Sequence, residues 1–295
     1  MIGVFDSGYG GLTVLRALHE RLPRQAFLYL GDHGHAPYGA KPAAEIAELT
    51  RRGVAALFRH GCRLVILACN TASAVALRDL QQDWLAKHYP ARRVLGVLVP
   101  LVETIARNPW HASAGAAEAA RLPETVGIFA TPATVASLSY VRETAKRAPN
   151  VRILQRACPD LAGLIETGAE DAAILPAVER HVAALLSDLQ GATLDSAVLG
   201  CTHYPLIEHL FRMALPQGTR IVSQPTRVAD ALVAYLFRHP EMKSCTPEAV
   251  PLTGSTIGGL TTGDPKRIAA LATRFFGSHL VFEALNSDEE NRRHA

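Results

Sequence analysis

The sequence predicts an α/β fold made of two similar α/β domains, each with a mostly parallel sheet flanked by helices. Three observations carry this. Short β-rich apolar runs alternate with alanine-rich stretches whose apolar residues recur at helical spacing. The strand candidates are continuously apolar, as when both faces of a parallel sheet are covered. The chain also resembles itself: Ile2–Ser7 (IGVFDS) and Val126–Thr131 (VGIFAT) are strands running into a hydroxyl residue, and a cysteine follows each at a similar interval, Cys69 and Cys201.

Taken in order, the strands are expected at 2–5, 27–30, 64–68, 93–97, 126–130, 152–155, 197–200 and 220–222, with clear helices over 42–60 and 171–189. After the first strand, FDSGYGGLT is an acid and a hydroxyl, a glycine turn and a helix start. It is not a dinucleotide fingerprint, because the third glycine would fall at Thr13, and it lacks the GK[ST] of a P-loop. It reads equally as a tight turn capped by Asp6 or Ser7 and as a functional edge. DHGHAPYGAK (32–41) is a polar loop in which Pro37-Tyr38-Gly39 sets a turn and offers a phenol and backbone amides. Residues 108–123 (NPWHASAGAAEAARLP) read as a loop or partly helical insertion, and 283–295 as a disordered, charged tail.

Composition narrows the function. The chain has 295 residues, 48% hydrophobic and 19% charged, which is ordinary for a soluble globular protein. Net charge is +3 and the basic residues are scattered, so nucleic acid is not the expected partner. No apolar run reaches the roughly 18 residues of a membrane helix, and no secretory signal precedes the first strand. Five cysteines without CxxC spacing argue against disulfides or structural zinc, so a cytoplasmic protein with free thiols is expected.

Two of those thiols stand out. ACNTASA places Cys69 at a strand end before a helix start, where a thiol pKa can fall, and Asn70 and Thr71 beside it can cap or donate. GCTHYPL repeats the arrangement with Cys201, Thr202 and His203, an imidazole within reach of the sulfur. Taken singly, a buried core cysteine explains the first, and half a metal site the second. The pairing favours chemistry. Cys62, Cys158 and Cys245 lack such neighbours and are assigned to packing. His33-x-His35 invites a metal, but without further ligands nearby none is assigned.

At FDSGYGGLTVL, PYG, ACNTASAVAL, ATPATVASLSY, RACPDLAGLIETG, GCTHYPLI and TTGDP the chain resembles the glutamate racemase family of the aspartate/glutamate racemase superfamily. The resemblance implies a cofactor-independent amino-acid racemase with its site in a cleft between two domains, here 1–98 plus 209–282 and 99–208. It implies Cys69 and Cys201 as acid/base thiols assisted by Asp6 and His203. Ser7, Pro37, Tyr38, Gly39, Asn70, Thr71, Thr131, Thr134 and Thr202 then bind the substrate, glutamate, for the D-glutamate of peptidoglycan. Two stretches depart from the family: His33-Gly34-His35, and Ser223-Gln224-Pro225, where an acid is usual. An effector site built from an N-terminal extension is not expected, and a homodimer is one option left open. The competing readings are an aspartate or hydantoin racemase, a one-cysteine decarboxylase, and an inactive regulatory homologue. The chemistry fits the family reading, because no single group reaches both faces of a planar carbanion, so inversion needs two acid/base groups.

Overall fold

The computed structural model describes residues 1–106, 124–243 and 256–285. Its strands are β1 (Ile2–Asp6), β2 (Phe27–Gly31), β3 (Leu64–Leu67), β4 (Arg93–Gly96), β5 (Glu124–Ala130), β6 (Val151–Ala157), β7 (Ser196–Leu199), β8 (Arg220–Val222), β9 (Ile257–Thr261) and β10 (Phe282–Ala284). They form two sheets, ordered β10-β9-β2-β1-β3-β4 and β6-β5-β7-β8, and every pairing is parallel. Around the first sheet lie α1 (Gly11–Arg21), α2 (Ala43–Arg59), α3 (Asn70–Asp79) and its continuation α4 (Leu85–His88). The chain then runs through α5 (Leu98–Ala106), α6 (Pro132–Ala136), α7 (Ser139–Ala145), α8 (Leu161–Glu166), α9 (Asp171–Ser187) and α10 (Glu208–Ala214) around the second. It returns with α11 (Gln224–Arg238) and α12 (Pro265–Phe276).

The internal likeness read from the sequence is a likeness of topology. The orders β2-β1-β3-β4 and β6-β5-β7-β8 match strand for strand. The register matches too: Phe5 pairs with Leu67, and Phe129 with Leu199. Ser7 and Cys69 each lie two residues beyond the first pair, Thr131 and Cys201 two beyond the second. All four therefore leave their sheets at the carboxyl edge, where α/β proteins place their ligands.

Both faces of the first sheet are covered. Ile2 and Val4 of β1 face a core shared with Leu12 and Leu15 of α1 and Val228 and Leu232 of α11, and that core continues to Phe129, Leu199 and Phe211 of the second half. Phe5, Val65 and Leu67 face the other way, onto Ile46, Val54 and Leu57 of α2. Each such side chain contributes about 1.5–3 kcal/mol on burial. The continuous cluster is what holds the two halves together.

Three expectations change. The sequence placed the return to the first domain at 209, but β8 pairs with β7 (Ser196 with Arg220) as the counterpart of β4, so the return follows Val222. The tail expected from 283 begins later, because Glu283 and Ala284 pair with Leu260 and Thr261. β9 and β10 were not foreseen. The IGGLT run carries two glycines that weaken a strand signal, yet a Cβ on Gly259 would sit 2.5 Å from the Val281 carbonyl. Glycine there lets β10 close on β9. The expected loop at 108–123, and the chain from 286 on, lie outside the described residues. Among the described residues no helix is long and apolar enough to cross a membrane.

Candidate active site

Cys69 is set by the end of β3. Its extended backbone makes it the N-cap of α3, with Sγ accepting from the Ala72 amide at 3.4 Å. Ser7 Oγ lies 3.4 Å from the same sulfur. Asp6, the last residue of β1, is fully buried; its Oδ1 accepts from the Gly8 amide at 2.8 Å, and its Oδ2 is buried without a partner. Burial raises the Asp6 carboxyl, against the opposing pull of the His203 charge and the backbone amides. Burial, and then the Asp6 charge, push the Cys69 thiol up to about 12. That shift favours the neutral thiol at neutral pH.

Cys201 has a different companion. His203 Nδ1 lies 3.5 Å from its sulfur, and His203 Nε2 lies 2.7 Å from Glu166 Oε1. Burial works against an imidazolium here, but Cys201 and Glu166 outweigh it and raise the His203 pKa well above its ordinary value. Burial likewise works against the Glu166 carboxylate, and the hydrogen bond from His203 prevails, lowering it. The pair is imidazolium and carboxylate. Both ring nitrogens then donate, one to Glu166 and one toward the Cys201 sulfur. Glu166 was missed by sequence reasoning. It ends the short apolar helix α8, and the signals for it were an acid closing an otherwise apolar helix and its place in the RACPDLAGLIETG segment of the resemblance.

The glycine run explains how the two turns meet. A Cβ on Gly10 would lie 2.2 Å from Thr202 Oγ1 and 2.6 Å from the His203 ring, and one on Gly11 would lie 2.5 Å from Asp6 Cβ. The start of α1 thus runs between Asp6 and the Thr202–His203 turn, with no room for a side chain. Thr13 Oγ1 shares its proton between the Gly10 carbonyl at 2.8 Å and the Thr202 carbonyl at 2.9 Å. Gly10 serves close approach between the halves, and Gly11 close approach of α1 to the ends of β1 and β3.

The threonines expected around the substrate come together. Thr71 Oγ1 is 2.9 Å from Thr131 Oγ1, which is 3.0 Å from Thr134 Oγ1. Gly39 meets the same cluster: its Cβ would be 2.9 Å from that of Thr131. Asn70 exchanges two hydrogen bonds with Gln224, a residue of one of the departing stretches. Tyr38 uses its phenol within the loop. Its hydroxyl is buried and donates to Asp32 Oδ2 at 2.5 Å, so the phenol anchors the loop, while Pro37 is exposed. The two loop histidines part company. His33 Nδ1 contacts the Gly31 carbonyl and Thr261 Oγ1, and His35 Nδ1 contacts Asp32. Among the described residues no group of three metal-ligating side chains forms. Cys62 and Cys158 are buried in apolar cores, and Cys245 lies outside the described residues.

No family model matches the chain. The glutamate racemase of Caulobacter sp. (strain K31) is 47% identical over 288 residues, covering 96% of this chain and 99% of its own. The chain belongs to the glutamate racemase family. The glutamate racemase of Phenylobacterium zucineum (strain HLK1) is 45% identical over 287 residues, with 96% and 99% covered. Among solved structures, Francisella tularensis glutamate racemase in complex with D-glutamate superposes with a TM-score of 0.80 at 26% identity, covering 98% of each chain. Escherichia coli glutamate racemase in complex with L-glutamate and the activator UDP-MurNAc-ala gives 0.69 at 27% identity over 96% of each. Membership of the glutamate racemase family makes the protein an isomerase.

Proposed function

We propose that the protein interconverts L- and D-glutamate without a cofactor, in the cytoplasm, supplying D-glutamate for peptidoglycan. Cys69 and Cys201 work on opposite faces of Cα. The observation that carries this is the repeated edge: two cysteines at matching positions beyond matching strands, one backed by Asp6 and Ser7, the other by His203 and Glu166. In one direction the Cys201 thiolate removes the α-proton and the Cys69 thiol returns one to the opposite face. In the other, the roles exchange. Asp6 and His203 take and return the protons that reset the thiols.

Substrate class follows from the lining. Ser7, Asn70, Thr71, Thr131, Thr134 and Thr202 offer donors suited to two carboxylates. An apolar side chain would leave them unpaired, at about 1–3 kcal/mol per buried group. Dry hydroxyl and amide donors also stabilise charge as it builds on the α-carboxylate. The relatives named above are glutamate racemases, one with D-glutamate bound, which supports glutamate over aspartate.

The test is α-proton exchange in deuterated water, with kcat/KM compared for glutamate, aspartate, glutamine and alanine. Glutamate should exchange and invert, and aspartate should be much poorer. No exchange with any of the four would overturn the enzymatic reading, and aspartate equal to glutamate would overturn the substrate.

A further inference from the structure

Asn70, the residue after Cys69, belongs to a buried amide pair that the scheme above leaves unexplained. Its Nδ2 donates to Gln224 Oε1 and its Oδ1 accepts from Gln224 Nε2, each at 2.8 Å. Tyr140 of α7 donates its hydroxyl to the same Oδ1 at 3.0 Å. Gln224 and Tyr140 are fully buried and Asn70 is 3% exposed.

A reciprocal pair of amides reads the same when both are flipped, so by itself it orients nothing. One contact breaks that symmetry here, and a second is consistent with the orientation it sets. Gln224 Nε2 also faces the Val97 carbonyl at 3.4 Å, and a carbonyl can only accept. Gln224 is therefore held with nitrogen toward Val97, which sets Asn70 with Oδ1 toward Gln224 Nε2. Burial raises the Tyr140 pKa, keeping its phenol a donor onto that oxygen. Asn70 Oδ1 thus has two donors, whereas Nδ2 uses only one of its two N–H groups.

We propose that Gln224 is a positioning residue that locks the Asn70 amide so that it offers an N–H, and not a lone pair, to a substrate carboxylate. This rests on the reading of Asn70 as a substrate-binding residue. A flipped Asn70 would turn an oxygen toward the carboxylate and repel it. The Gln224 amide thereby sets which end of an amino acid this corner accepts.

The experiment measures racemisation kinetics and calorimetric binding of D-glutamate for the wild type, Gln224→Leu and Gln224→Glu. Gln224→Leu keeps the bulk and loses the pair. Its KM and Kd should rise about tenfold, the scale of one hydrogen bond to a charged group, with kcat nearly unchanged. In Gln224→Glu the introduced carboxyl imitates the amide only while protonated, since the ionised form cannot donate to Asn70 Oδ1. Burial favours the protonated form, so KM should sit near the wild-type value at low pH and climb away from it as pH rises. Tyr140 faces Asn70 directly, Cys201 acts on Tyr140, and Cys69 precedes Asn70. All three groups are present in the wild type as well, so the ratio of variant to wild type at each pH isolates the new group. A merely structural role would not give that pH-dependent ratio. Wild-type KM in Gln224→Leu, or a Gln224→Glu ratio flat with pH, sinks the proposal. If the leucine variant does not fold, the glutamate profile decides. A wild type that neither binds nor racemises glutamate sinks the proposed function and this inference together, whereas an active wild type with indifferent variants sinks the inference alone.

Discussion

Gly10→Ala probes the contact between the two halves at its tightest point. The added Cβ would lie 2.2 Å from Thr202 Oγ1 and 2.6 Å from His203 Cε1 and Nδ1, where ordinary contacts begin at 3.4 Å. The imidazole cannot swing away, because Glu166 holds the His203 ring at 2.7 Å, and the Thr202 backbone beside it is held by Thr13. The His203 turn must therefore move by roughly an ångström relative to α1, and misplacement on that scale costs about 10²-fold in rate. Overpacking should also cost about 1–3 kcal/mol of stability, which at about 2–4 °C per kcal/mol is a clear drop in Tm. Gly163→Ala is the matched control. It lies in α8, three residues before Glu166, and its Cβ would meet nothing within 4 Å. Replacing glycine inside a helix there should stabilise by about 0.5–1 kcal/mol and leave kcat alone. The assays are circular-dichroism melting and polarimetric racemisation from each enantiomer. Wild-type kcat and Tm for Gly10→Ala would refute the argument that these glycines exist for close approach.

Cys69→Ser and Cys201→Ser should each abolish racemisation with Tm little changed, while Cys62→Ser and Cys158→Ser keep activity apart from packing losses; near-normal turnover in both directions by either of the first two would end the two-thiol mechanism. Asp6→Asn and His203→Asn should lower kcat by roughly 10²–10⁴, and unequally for the two enantiomers because each serves one thiol, so equal small losses from L- and D-glutamate would reduce them to loop supports. Glu166→Gln tests the ion pair. The raised His203 pKa contributes stability that is full below the ordinary histidine value and lost as pH rises through the folded value, whereas the lowered Glu166 pKa contributes above the ordinary carboxylate value and is lost as pH falls through its own. Removing the carboxylate should therefore move the alkaline limb of the kcat profile to lower pH, because a neighbouring opposite charge favours the protonated ring, and an unmoved limb would show that Glu166 does not hold the imidazolium.

The parallel sheets, the repeat and both thiol turns were legible in the sequence because each rests on local pattern: continuous apolar strands, a hydroxyl or thiol at the strand end, a helix start beyond. Features arising from approach between distant segments were not. Nothing near Gln224 in the chain announces Asn70 as its partner, and nothing in α8 marks Glu166 as the companion of His203. Tyr38 was read as part of a turn offering a phenol and backbone amides, and sequence cannot tell that Asp32 folds back to accept the phenol's hydrogen bond. β9 was hidden by its two glycines. β8 was seen as a strand yet assigned to the wrong half, because three residues carry no record of which sheet edge they join.

The chain passes between its halves at two places, after β4 and after β8, and the residues at those crossings, Val97 and Gln224, are hydrogen-bonded to each other. The halves are bound like two boards of a book along one spine. Turning about that line stretches no backbone, whereas sliding one board past the other must break the bond between the crossings. Asn70 is fastened to the spine itself, so the corner of the cleft it occupies keeps its shape at any angle between the boards. Thr71 and Thr131, bonded to each other from opposite boards, part as soon as the angle widens. One side of the site is thus fastened at the crossings, and the other by a hydrogen bond that spans the two boards.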